Sequence, residues 1–531
     1  MNVAQALLDQ LANWEVKNIY GLVGDHIFQI IHELNDRDDL NFYPVKHEET
    51  AALMASAQAK LTGQLGVCLA IGGPGAVHLL NGVADAYKDR VPLLAITGDE
   101  PTADLGTEKK QVINQSVLFS GITCYCGQVV HQQTVGDVIN QAISEAITKS
   151  MPAHVSIPKD ILAQECTAQI FGGAPYVYNQ PLSAPPVVDE AAKRLSEAKR
   201  PAVLVGRGVV DNPEIVVNFA QKLQAPFVAT SVAKSFYSWD HPLFMGGVGE
   251  GGSQAATDIL NEADLVLTIG ANWWPGSYLD VQKAIIQVDT NPISLATGNP
   301  ISYGLVGEVN EILSQLHKKV NPTNHDDWLR KAKEKKDAWE KRAAEELSQQ
   351  GSPCHPASIV NALNNTLDSD AIISLDVGDH FVWFNRLFKG SGQQTLLSGK
   401  WRTLGFGLPA ALAAKINKPD KQVVALVGDG GFAMTMSDFT TAVKHNLPVV
   451  VIIVNNGNYA MEKNKMESKN LTPYATELHN PDFKLYAESC GGEGYRVESS
   501  DQLESTIKKA LKSNKPCIID VISSDIPLPT V

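Results

Sequence analysis

An α/β protein of three doubly wound, mainly parallel-sheet domains is the fold class this sequence predicts, and three observations carry that expectation. Short β-branched runs such as NIYGLVG, GVCLAIGG, PLLAITG, PAVLVGRG, DLVLTIGA, AIIQVDTN and VVALVGDGG alternate with amphipathic stretches of helical period. The chain has 531 residues, 44% apolar and 19% charged, which is ordinary globular material for about three domains. Two interruptions divide it, the Pro- and Gly-rich FGGAPYVYNQPLSAPP and the charged HDDWLRKAKEKKDAWEKRAAEELSQQ.

Taken in order, MNVAQALLDQLANW reads as an amphipathic helix with acidic and polar positions, not as a basic segment ahead of an apolar core, so no signal peptide is expected. The first α/β unit runs to about residue 165, the second from about 185 to 325, and the third from about 355 to 531. The charged stretch between the second and third is expected to be a solvated connecting helix. No run of about 18 apolar residues occurs, hence no membrane span. Seven Cys at irregular spacing fit incidental thiols of a reducing, cytoplasmic compartment. A net charge of −14 argues against a nucleic-acid partner and leaves any positive field local.

The densest chemistry lies between Val423 and Lys463. Val423–Val427 reads as a strand, Gly428-Asp429-Gly430-Gly431 breaks it, Ser437–His445 can form a helix, and Pro448–Val454 is a second strand. With a right-handed crossover and parallel pairing, Asp429 and Asn456 come to one carboxyl edge on strands about 4.8 Å apart. A carboxylate, an amide oxygen and the main-chain carbonyl of Asn458 suit Mg2+, which takes oxygen ligands and completes its shell with phosphate and water. Gly430 and Gly431 would leave N–H groups open to a diphosphate. In the first unit, NFYPVKHEE reads as a strand ending in His47 and two carboxylates, Glu48 and Glu49, ahead of a good helix. By itself such a pair is a helix N-terminus favoured by the macrodipole.

GDGG followed at this distance by NN resembles the signature of thiamine diphosphate enzymes. The whole chain resembles the pyruvate oxidase and acetolactate synthase family, nearest to bacterial pyruvate oxidases. The resemblance is carried by GLVGDHIFQII from Gly21, KHEETAALMASAQAKLTG from Lys46, IGGPGAVHLLNGVADAYKDRVPLLAITG from Ile71, IIQVDTNP from Ile285, LDVGD from Leu375 and TLGFGLPAALAAK from Thr403. It implies a pyrimidine-binding domain over 1–165, a central FAD-binding-like domain over 185–325 and a diphosphate- and Mg2+-binding domain over 355–531. The implied cofactors are thiamine diphosphate, Mg2+ and FAD.

By the same resemblance, Glu48 hydrogen-bonds the aminopyrimidine and promotes loss of the thiazolium proton, with Glu49 a neighbour. Gly24, Gly73 in the GGPG turn, His78 and Gln111 match first-domain residues near cofactor and substrate. Gly378, Asp379 and His380 match the segment beside the diphosphate, and Leu404 the bulky residue supporting the bent cofactor. For FAD the matching places are Gly206, Arg207 and Gly208, Thr230 and Ser231, GVGEGG from Gly247, GANWW from Gly270, and Asp289 for a ribose hydroxyl. The family further implies a homodimer or homotetramer whose active sites lie at the subunit interface, inactive as a monomer.

Two departures put charge near the substrate. Lys110 stands where the group has a Phe before the active-site Gln, and Met461-Glu462 where it has two bulky apolar residues. NNGNYAMEK resembles instead the NNxGYTIEK of 2-oxo acid decarboxylases, in which the Glu matching Glu462 assists decarboxylation and aldehyde release. The first domain carries no paired histidines of the kind those decarboxylases use. The expected activity is decarboxylation of pyruvate or a similar short 2-oxo acid, oxidative with FAD. An aldehyde-releasing decarboxylase, an acetolactate-forming carboligase and a catalytically silent binding paralogue are the alternatives. Intact Glu48, Asp429 and Asn456 argue against the last. The end at Thr530-Val531 counts against a lipid-triggered, quinone-reducing relative.

Overall fold

The computed structural model describes residues 1–172, 182–210, 212–271, 278, 282–297, 300–321 and 324–527. Asn272, Trp273 and Trp274 of the GANWW motif, much of the Pro- and Gly-rich loop, and Thr530-Val531 lie outside the described residues.

Three six-stranded sheets form the frame, and every strand pairing in them is parallel. The first holds β1 (Asn18–Gly21), β2 (Asn41–Pro44), β3 (Gly66–Ala70), β4 (Leu93–Asp99), β5 (Tyr125–Gln128) and β6 (Pro152–Pro158) in the order β2-β1-β3-β4-β6-β5. The second holds β7 (Pro201–Val205), β8 (Phe227–Thr230), β9 (Phe244–Val248), β10 (Leu265–Ile269), β11 (Ala284–Asp289) and β12 (Tyr303–Val306) as β12-β11-β10-β7-β8-β9. The third holds β13 (Ile372–Leu375), β14 (Gln394–Leu397), β15 (Val423–Gly428), β16 (Val450–Asn455), β17 (Glu493–Val497) and β18 (Cys517–Ile522) as β14-β13-β15-β16-β18-β17. Central strands such as β4, β7, β10 and β15 are apolar and buried along almost their whole length because helices cover both faces.

The strand orders decide where ligands fit. The first and third sheets share one order, reversing direction between β1 and β3 and between β13 and β15. The second reverses between β7 and β10, in the arrangement of dinucleotide-binding sheets. Crevices open outside the carboxyl ends of strands at such reversals. They receive Gly24 and Gly73 in the first sheet, Gly206–Gly208 and Gly270 in the second, and Gly378 and Asp429 in the third.

Three local expectations need correction. The strand of NFYPVKHEE stops at Pro44, His47 caps the next helix by accepting Glu49 N–H, and Glu48 and Glu49 open the helix Glu48–Thr62. GDGG ends the strand as expected, at Gly428, but the helix expected from Ser437 begins at once: Gly428 caps a helix that starts at Asp429 and runs to Thr435, and after one 3-10 turn Phe439–Lys444 continues it. The charged stretch is indeed a helix, Asp326–Leu347, but it is no mere connector. Trp328, Ala332, Lys336, Trp339, Ala343 and Leu347 recur at spacings of three and four and are all buried. That stripe packs in one core with residues of both the second and third units. Trp328 Nε1 donates to Pro201 O at 2.9 Å, and Glu346 takes a two-pronged contact from buried Arg386 at 2.6 and 2.7 Å.

The first and third units also share a core, with the helix Glu48–Thr62 laid against Gly407–Asn417. All seven cysteines are free thiols. Among the described residues no helix is long and apolar enough to cross a membrane.

Candidate active site

At the end of β15, Asp429 is 2% exposed, and its carboxylate is surrounded by donors. Gly457 N–H and Asn480 Nδ2 reach Oδ2 at 2.8 and 2.7 Å, and Gly430 N–H reaches Oδ1 at 3.0 Å. Burial nonetheless pushes its pKa up, against the pull of Asn480 and the main-chain N–H groups. β16 pairs with β15 in parallel, so Asn456 follows at the same edge, with Oδ1 accepting Asn458 N–H at 3.1 Å. Asp429, Asn456 and Asn458 line one cavity of about 190 Å3 together with Gly378, Asp379, His380, Leu404, Gly430, Gly431, Met461 and Glu462. A buried carboxylate beside two asparagines in a small recess is a donor set that suits a hard divalent cation.

The two glycines are required for a reason other than the expected one. A Cβ on Gly430 would lie 2.4 Å from the Tyr459 ring, and one on Gly431 would lie 2.8 Å from Asp376 Oδ2. Gly430 N–H is taken by Asp429 itself, which leaves Gly431 N–H and the rest of the helix start to face an anion.

Three residues in this region were not picked out from the sequence. Asn480 orients Asp429 and also bonds Asn455 Oδ1 at 3.1 Å. Asp376, at the end of β13, is fully buried and pushed up to about 6 by that burial, although it accepts N–H groups of Val377, Gly405 and Gly407. It thereby fixes the turn that presents Leu404. In the first unit, His26 Nδ1 accepts Gly72 N–H at 3.1 Å and Nε2 faces Glu100 at 3.2 Å, holding the GGPG turn. The LDVGD match pointed toward Asp376 and the GLVGDHIFQII match toward His26, without singling out either; Asn480 had no signal in spacing or motif.

His380 is buried and donates Nε2–H to Asp376 O at 3.0 Å, and burial pushes it down to about 4, so it is a neutral imidazole. Asp379, which opens the helix Asp379–Leu387 and is bonded by Asn464, is pushed up to about 6 by burial.

In the first unit, Glu48 is 7% exposed, and its Oε2 lies 2.8 Å from His78 Nδ1. Glu49 turns elsewhere, bonding Asn81. His78 is exposed and aimed at Glu48, so it does not sit on the apolar face of its helix, Pro74–Asp89. The rings of His47 and His78 lie 4.4 Å apart beside Glu48, a spatial pair of histidines that separation in sequence concealed. Gly73, at φ +60°, has Gln111 O within 2.9 Å of where its Cβ would be. Gln111 itself sits at φ +62° with Oε1 buried and unpartnered. Gly24 packs on Ile71. Lys110 is exposed and acts on Asp25, whose carboxyl His26, Lys159 and Lys110 hold low against the upward push of burial.

None of these first-unit residues lines the cavity of Asp429, whose lining begins at Pro356. Within one chain Glu48 does not line the cavity formed by the residues expected to hold the metal.

A second cavity, of about 810 Å3, opens between all three units. Its lining includes Asp289, Thr290, Asn291, Arg90 and Lys400, and the glycine-rich Gly206, Arg207, Gly208 and Gly270. It shares Val377, Arg402, Met461 and Glu462 with the Asp429 cavity. Asp289, last residue of β11, accepts Asn291 N–H at 2.9 Å, and burial raises its pKa. Thr230 Oγ1 is buried at the wall without a partner. In a chain of net charge −14, the concentration of Lys60, Lys88, Arg90, Arg207, Lys400, Arg402 and Lys465 around one cavity suits a diphosphate-bearing ligand. Volume, glycine-lined wall, terminal carboxylate and cations all fit a dinucleotide such as FAD. Glu462 is largely exposed, with Lys465 Nζ at 3.4 Å.

The chain matches three family models: thiamine pyrophosphate enzyme, N-terminal TPP binding domain, over residues 1–118; central domain, over 188–316; and C-terminal TPP binding domain, over 376–521. It is similar to YdaP of Bacillus subtilis, a protein named as thiamine pyrophosphate-containing, at 35% identity over 529 residues, 99% of this chain and 92% of the relative. Pyruvate oxidase of Lactiplantibacillus plantarum is 31% identical over 540 residues, 99% and 89% of the two chains. The acetolactate synthase large subunit of Corynebacterium glutamicum is 30% identical over 548 residues, 98% and 87%.

Proposed function

Because this chain belongs to the thiamine pyrophosphate-dependent enzyme family, we propose that it decarboxylates pyruvate or a similar short 2-oxo acid oxidatively, with Mg2+ and FAD. The observation that carries this reading is the junction of the two cavities at Val377, Arg402, Met461 and Glu462. It would bring a dinucleotide's reactive ring next to the thiamine pocket. Thiamine diphosphate supplies the electron sink for loss of CO2 from a 2-oxo acid, and FAD a two-electron acceptor.

The protein's own parts divide as follows. Asp429, Asn456 and the carbonyl of Asn458 hold Mg2+, oriented by Asn480. Glu48 holds and moves a proton at the pyrimidine, with its carboxylate fixed by His78. Leu404, on the turn held by Asp376, would pack against the thiamine cofactor. Asp289 and Gly206–Gly208 hold the ribose and diphosphate of FAD. Because Glu48 does not line the Asp429 cavity of its own chain, the site is assembled from two subunits.

A second reading has an observation in its favour. The His47 and His78 pair beside Glu48, with Glu462 at the cavity junction, supplies proton-transfer groups suited to an aldehyde-releasing decarboxylase. One experiment separates the two. On the oxidative reading the purified protein is yellow, bleaches anaerobically with pyruvate, and Glu462→Ile preserves electron transfer. A colourless, fully active protein that releases aldehyde and loses it with Glu462→Ile overturns that reading in favour of the second.

A further inference from the structure

The two helices that begin at the Glu48 and His78 end of the first unit finish in a buried contact that joins all three units. Lys60, on Glu48–Thr62, has a side chain 2% exposed; its Nζ lies 2.7 Å from Asp85 Oδ2, 2.7 Å from Asp89 Oδ2 and 3.0 Å from Leu397 O. Asp89, the last residue of Pro74–Asp89, accepts Gly399 N–H on Oδ2 at 2.7 Å and Lys400 N–H on Oδ1 at 2.8 Å. Its main-chain carbonyl accepts from Arg207 Nη2 at 2.6 Å. Lys60 also lies over the Phe406 ring at 4.5 Å.

We infer that Asp89 is a positioning residue that couples occupation of the dinucleotide cavity to the shape of the thiamine pocket. The inference rests on reading the larger cavity as the FAD site. Lys60, Asp89, Arg207, Gly399 and Lys400 all line that cavity, so a ligand there meets the groups that hold Asp89. The turn that Asp89 grips at Gly399 and Lys400 is gripped at its far end by Asp376, through Gly405 N–H at 3.0 Å. Between the two carboxylates it carries Arg402 and Leu404, which line the smaller cavity. Arg402, between the two grips, stands at φ +59°, a conformation the surrounding structure must hold. Buried Lys60 and Asp85 and half-buried Asp89 and Arg207 form one charged cluster, so weakening one member leaves the others underpaired and shifts the turn. Burial acts to raise the pKa of Asp89, but Lys60, Arg207 and the Lys400 N–H outweigh it and keep the group ionised.

Coupling of this kind is reciprocal and can be measured in binding alone. Mg2+ and thiamine diphosphate are titrated calorimetrically into wild-type protein, once stripped of FAD and once loaded with it. The loaded form is expected to bind about tenfold more tightly. In Asp89→Asn that ratio falls to near one while FAD is still taken up, and Asp89→Glu restores part of it. Gly399→Ala attacks the same contact from the other side, since its Cβ would lie 2.9 Å from Asp89 Oδ1, and is expected to give the same loss. A wild type that binds FAD without changing thiamine diphosphate affinity overturns the inference, as does an undiminished ratio in the folded variants. A wild type that takes up no FAD overturns the reading of the cavity itself.

Discussion

Replacing Asp429 by Ala would leave the cavity with amide oxygens and no charge to offset a divalent cation. We expect Mg2+-dependent binding of thiamine diphosphate to weaken by roughly 100-fold or more. Asn480→Ala removes only the donor that aims the carboxylate and should weaken it by about tenfold. Calorimetry on both variants checks the pair, and equal losses would mean that Asn480 is itself a ligand. Glu48→Gln should keep cofactor affinity while turnover falls by about 100- to 10,000-fold, with Glu49→Gln milder because Glu49 bonds Asn81. A larger defect at Glu49 would show that the assignment is off by one position.

At the same scale, His154 lies buried against Phe119, ring centroids 3.8 Å apart, and burial pushes it down to about 3. Its unfolded value is about 6.5, so the folded state binds fewer protons and stability is lost as pH falls through 6.5 toward 3. The loss at pH 5 should be about 2 kcal/mol. Urea unfolding at pH 7.5 and 5.0 measures it, and His154→Gln should flatten the difference. Asp429, Asn456 and Asp289 stand at strand ends, where the repeat of strand and helix placed them, whereas Glu48 opens a helix and was singled out only by the family resemblance. Asp376 and His26 lay within matched motifs but were not singled out, and Asn480, which reaches Asp429 from a loop, left no trace in period or motif.

Among the elements, Asp326–Leu347 shows what a mean composition hides. Its charged residues suggested a solvated rod, yet two tryptophans on one stripe close the core between the second and third units. Trp339 is 3% exposed and lies under the Arg386 guanidinium at 4.8 Å. Trp339→Ala should therefore cost about 3–5 kcal/mol in denaturant unfolding. A cost near zero would mean that the helix does only join its neighbours. The strands were legible as β-branched runs, whereas the helix starting at Asp429 was not. Its glycines signal a break in isolation, and only contact with Tyr459 and Asp376 shows that packing demands them.

At the scale of the whole molecule, the proposed reading makes subunit assembly a requirement for activity, because Glu48 does not line the Asp429 cavity of its own chain. If the working site takes Glu48 from one subunit and Asp429 from another, two inactive variants can repair each other. A dimer of a Glu48→Gln chain with an Asp429→Ala chain has one site with both lesions and one with neither. Random exchange makes about half of the dimers mixed, so about one quarter of wild-type activity should return after the variants are unfolded and refolded together. Neither variant alone regains any. Should each chain instead bring both residues to its own site, every site in the mixture keeps one lesion, and the mixture stays as inactive as its parts.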